Sequence, residues 1–133
     1  MGKDIRVGFR ALASGVCVAA LAALAATAAA AADPVSFKNH VLVIIDNRCL
    51  ACHRPGGDGF EKSGLDLRTY ASLMKGTKHG PVVVPGDAFV SNLNVLVEGR
   101  AASAIRMPHK LQPLSAHEID IFRRWVNEGA RNN

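Results

Sequence analysis

Residues 48–57 read RCLACHRPGG, and within them Cys49, Cys52 and His53 crowd two thiols and an imidazole into five positions. Upstream, Phe37, Val41, Ile44, Ile45 and Cys49 recur at helical spacing, which predicts a helix over 35–52 with the motif near its end. Residues three and four apart share a helix face, so that helix would turn both thiols and the imidazole the same way.

The segment that follows, residues 53–68, carries Gly56, Gly57, Gly59 and Gly64 and is expected to be loop. TYASLMK, closed by Gly76, fits a short helix burying Tyr70, Leu73 and Met74. HGPVVVPGD fences three valines between Gly-Pro and Pro-Gly pairs, which predicts an extended loop with its valines inward rather than a paired strand. After Asp87, the apolar positions Phe89, Val90, Leu93, Leu96 and Val97 predict a third helix, stopped by Gly99. Residues up to Pro113 read mostly as loop. LSAHEIDIFRRWVNEG has the clearest helix start in the chain: Ser115 and Glu118 form an S-x-x-E capping box, with Leu114 and Ile119 as its hydrophobic staple. Ile119, Phe122, Trp125 and Val126 form its apolar face, and Gly129 ends it. The expected fold is all-α, with about four helices, no strand and no internal repeat.

The first 32 residues differ from the rest. Lys3, Arg6 and Arg10 precede an alanine-rich apolar run that ends Ala30-Ala31-Ala32, the layout of a secretory signal peptide with its cleavage site before Asp33. Cys17 falls inside this leader as apolar filler. The run is long enough to anchor the chain if it is not cleaved, so membrane association is expected only in that case. Removing Lys3, Arg6, Arg10 and Asp4 from 16 basic and 11 acidic residues leaves 13 and 10, a formal charge of +3 on residues 33–133. With no block of basic residues and no interleaved aromatic platform, nucleic-acid binding finds no support. About 100 residues bury only roughly 60–65% of the unfolded chain's surface. Four phenylalanines, one tyrosine and one tryptophan make a thin core, which leaves room for something besides side chains.

Three chemistries use C-x-x-C-H. A structural zinc site needs four ligands and would have to recruit from His40, His79, His109 and His117, with Cys52 and His53 awkwardly adjacent. A thioredoxin-like disulfide wants its C-x-x-C at a helix start, between strands. A plain Cys49–Cys52 bridge would close too short a loop to stabilise much. Covalent haem asks for what is present: two thiols to add to two vinyl groups, and a neighbouring imidazole for the iron. One haem c, attached through Cys49 and Cys52 with His53 as a metal ligand, is the expected cofactor. For the other axial position, Pro108 biases Met107 toward extended backbone, suiting a loop across the far haem face, and its thioether would raise the potential. His109 and His79 are the alternatives, or an open site. Met74 reads as packing.

CLACHRPGG, SGLDLRTYASLMKG, GPVVVPGDAFVSNL and MPHKLQPLSAHEIDIFRRWVNEGA, in that order, resemble the planctomycete-type cytochrome c domains, small single-haem cytochromes c. The resemblance runs from about residue 35 to 130. It implies a cytochrome c fold wrapped around one covalent haem, first and last helices crossing, with His53 the proximal ligand and Met107 the distal one. Members of the family often have two prolines after this methionine, whereas here Pro108 precedes His109. Arg54 and Arg106 are candidates to pair with haem propionates, Val83 and Pro85 to line the porphyrin edge, and Trp125 to pack in the core.

The expected function is a periplasmic electron carrier of a Gram-negative-type bacterium, serving redox partner proteins and not an enzyme by itself, though it could be the redox subunit of one. The alternative is a haem-based ligand sensor or peroxidase-like protein with an open or His-ligated distal position.

Overall fold

Ser36 opens the first helical segment: its Oγ accepts the Asn39 N–H at 3.2 Å, satisfying a donor the first turn leaves free. The structure, a computed structural model, describes residues 33–133; the expected leader, with Cys17, lies outside the described residues. A π-helical turn, Phe37–Val41, leads directly into α1, Leu42–Arg48. Then come α2 (Asp58–Ser63), α3 (Tyr70–Lys75), α4 (Asn92–Val97), a 3-10 turn (Ser103–Ile105) and α5 (Ala116–Asn127). Among the described residues there is no strand, only an isolated bridge between Thr77 and Gly80, so the all-α expectation holds. None of these helices is long and apolar enough to cross a membrane.

Burial follows the apolar stripes. Val41 and Ile45 of the first helical segment, Leu73 of α3, and Phe122, Trp125 and Val126 of α5 are fully enclosed. Phe37 packs between two rings, edge-on to Tyr70 with centroids 5.3 Å apart and against Trp125 at 5.6 Å. Both polar tips find partners, as buried aromatics require: Tyr70 Oη donates to the Ala130 carbonyl and Trp125 Nε1 to that of Arg131, each at 2.9 Å. Trp125 is therefore a core residue.

The two ends of the described chain are stitched together around this cluster. Asn133 accepts through its carbonyl from Ser36 Oγ (2.8 Å) and the Lys38 N–H (3.0 Å), and through its side-chain oxygen from the Phe37 N–H (2.9 Å). Glu128 accepts the Val35 N–H at 2.7 Å.

Four local expectations need correction. The first helix ends at Arg48, so C-x-x-C-H occupies a turn beyond α1, not a helix. The glycine-rich segment contains α2: Gly57 is its N-cap, Asp58 and Glu61 sit in its first turn, and Gly64, at φ 74°, closes it in the left-handed conformation that glycine adopts without strain. α4 begins only at Asn92, because Asp87 Oδ1 captures the N–H groups of Phe89 (2.9 Å) and Val90 (3.1 Å) in a tight turn; those two side chains are exposed instead of helical. Of the three valines, Val82 and Val83 turn inward, and Val84 is 45% exposed.

Candidate functional site

The backbone after α1 is wound so that Cys49 organises the motif. Its N–H still bonds Ile45, closing the helix, while its carbonyl accepts from both Cys52 and His53 at 3.1 Å. His53 is then tied on its other side, its carbonyl accepting the Leu67 N–H at 2.9 Å, and the Cys52 carbonyl accepts the Phe60 N–H at 2.9 Å. Cys49, Cys52 and His53 are thus held by three backbone segments: α1, α2 and the strand-like run before α3.

Both cysteines are free thiols, Cys49 half-buried and Cys52 exposed. Burial pushes the Cys49 thiol up to about 11. His53 is buried, and that burial pulls its imidazole below the ordinary value, offset in part by the Leu65 backbone. The ring is therefore neutral at pH 7, the form that can ligate a metal. Its Nδ1 is sealed from solvent without an aligned hydrogen-bond partner. Nε2 makes no hydrogen bond and is not sealed. Gly59 gives the ring its space: a Cβ there would lie 2.8 Å from His53 Cε1 and 2.9 Å from Nε2. Its glycine is thus required by close approach, and periodicity alone could not have shown it.

Met107 is half-buried and packs against the core edge, with its N–H on the Leu96 carbonyl at the end of α4 (3.1 Å). What brings its loop toward the motif is Arg48, the residue before Cys49. The Arg48 guanidinium donates to the carbonyls of Gln112 (2.7 Å) and Pro113 (3.1 Å), with Glu118 of α5 at 3.9 Å. Sequence reasoning missed Arg48, although an arginine abutting the motif was visible. Met74 is half-buried against the core. Arg54, Arg106, His79 and His109 are all exposed, as is Pro85, whereas Val83 is buried. No three His, Cys, Asp or Glu side chains among the described residues come together as they would around a metal ion.

The donor set suits a covalently held haem. Two unpaired thiols and a neutral imidazole with one reachable nitrogen lie in one turn, and the second imidazole nitrogen is left for an outer partner. Zinc would need further ligands that do not gather here. A family model described as Planctomycete cytochrome C matches residues 49–109, which begin at Cys49 and run through Met107 to His109. No curated protein and no solved structure matches the chain.

Proposed function

Residues 49–109 match the Planctomycete cytochrome C family model, and on that premise we propose that the chain is an electron carrier holding one haem c, acting in the periplasm after export. Cys49 and Cys52 would hold the group through thioether links, His53 through Nε2 and Met107 from the opposite face. The bound group supplies one-electron redox chemistry at its iron.

The chain's residues do the rest. The paired hydrogen bonds to the Cys49 carbonyl keep the thiols and the imidazole in one turn, so attachment and ligation are pre-organised. Gly59 lets the backbone close on the ring, and burial keeps the imidazole neutral. Arg48 tethers the segment after Met107 to the motif, so that a thioether on that loop stays within a limited range of His53.

The observation that carries the reading is the turn itself: two free thiols beside a neutral imidazole whose Nε2 is reachable and whose Nδ1 is enclosed. The test is expression in a host competent for cytochrome maturation, followed by intact mass and a haem stain on a denaturing gel. The expected result is one haem retained through denaturation. A mass equal to the polypeptide alone rejects the proposal. Met107→Ala should keep the attached haem but let the reduced protein bind carbon monoxide promptly; an unchanged low-spin spectrum and potential would remove Met107 from the ligand set.

A further inference from the structure

We propose that the loop bearing Met107, residues 103–113, is the docking face for an acidic redox partner. The inference rests on the electron-carrier reading above and adds where the partner sits and what charge it carries.

Between Glu98 and Glu118 the chain contains no carboxylate, while Arg106, His109 and Lys110 fall within five positions. Arg106, His109 and Lys110 are exposed, and none pairs with an acidic group. With Leu111 they line an open cleft of about 280 Å³. Two large apolar side chains stand out of the same loop, Ile105 at 54% and Leu111 at 61% exposure. Apolar contacts inside an uncompensated positive rim suit a transient partner of opposite charge: charge steers the encounter and a small apolar centre completes it. The loop turns at Lys110, which holds φ 58°, uncommon for a residue with a side chain.

The second exposed apolar cluster, Phe89, Val90 and Val84, lacks this field. Around it Glu98 pairs with Arg100 at 2.7 Å and Arg123 at 3.2 Å, and Asp87 lines the same cleft, so two carboxylates balance two guanidinium groups. The end of the Met107 loop, Gln112 and Pro113, is also tied to Arg48, the residue before Cys49, so the loop is anchored to the segment that would carry the haem.

The probes are an oligoglutamate peptide and hexacyanoferrate(III), used with the haem-loaded mature protein. In the reduced, diamagnetic state, peptide-induced amide shifts should concentrate in residues 103–113 and disappear in high salt. In stopped flow, hexacyanoferrate(III) takes one electron from the reduced protein and becomes hexacyanoferrate(II). At low ionic strength Arg106→Glu with Lys110→Glu should slow this about tenfold. Lys38→Glu with Lys75→Glu makes the same charge change outside residues 103–113, and should slow it far less. Shifts centred on Phe89, or equal slowing by both pairs, would overturn the docking face while leaving the carrier reading intact. Absence of covalent haem would instead overturn the carrier reading, and the inference with it.

Discussion

Arg48 reaches the Gln112 carbonyl at 2.7 Å, a side chain at the end of α1 holding backbone 64 positions later. The contact joins the two parts of the candidate site that the sequence keeps furthest apart. Arg48→Ala should lower stability by about 1–2 kcal/mol, the scale of hydrogen bonds from a charged donor, discounted for partial exposure. Arg48→Lys should recover only part of this, since the shorter, freely rotating ammonium lacks the planar guanidinium that holds Nη2 between the two carbonyls. Denaturant midpoints of the haem-loaded protein check both; no change in either would make the tether idle.

Gly59→Ala offers a test of opposite sign to propensity. Within a helix, glycine to alanine ordinarily stabilises by about 1 kcal/mol, and Gly59 is not among the glycines with positive φ. Here the new Cβ would collide with the His53 ring and approach the Cys52 carbonyl at 3.0 Å. The expected outcome is a destabilised protein with lower haem incorporation, read from thermal unfolding and haem yield. A stabilised variant with normal yield would mean the ring has room to move.

Asn94 is fully buried on α4, and neither its side-chain oxygen nor its nitrogen has a partner. An unpaired buried amide costs on the order of 1–3 kcal/mol. Asn94→Leu, which keeps the number and branching of the side-chain heavy atoms, should therefore stabilise the fold by about 1 kcal/mol, read as a higher unfolding midpoint. A loss of stability would reveal that the amide is bonded in the loaded protein.

Glu118 caps α5, accepting the Ser115 N–H at 2.7 Å, and that bond holds its carboxyl below the ordinary glutamate range. Because the folded-state value lies below the unfolded one, the stabilisation is present above the unfolded value and is lost as pH falls through the folded value. Unfolding midpoints measured from pH 6 downward should fall through this window, and Glu118→Gln should flatten that part of the curve. Ser115→Ala should cost about 1 kcal/mol at neutral pH.

Where a local chemical rule governs the backbone, the sequence was readable. The Ser115–Glu118 box needs only four residues, and α5 begins at Ala116 with both halves of the box formed. Gly76 ends α3 in the same local way. Where a close approach or a competing side-chain hydrogen bond decides, it was not. The α2 helix needs Gly59 because the His53 ring lies against it, a close approach that neither apolar spacing nor glycine content over residues 53–68 reveals. Phe89 and Val90 fit the apolar period of α4, yet the side chain of Asp87 takes their N–H groups and leaves them outside. The residues of C-x-x-C-H were identifiable from spacing, but the turn that presents them depends on bonds to Phe60 and Leu67 beyond the motif.

The stitching of Asn133 to Ser36, Phe37 and Lys38 bears on how the domain could be approached. From Lys38 to Arg48 the helical backbone advances about 15 Å, so the two ends of the described residues lie on one side and the Cys49 turn lies toward the other. A redox partner of the proposed carrier would therefore approach the Cys49 turn from the side away from these two ends.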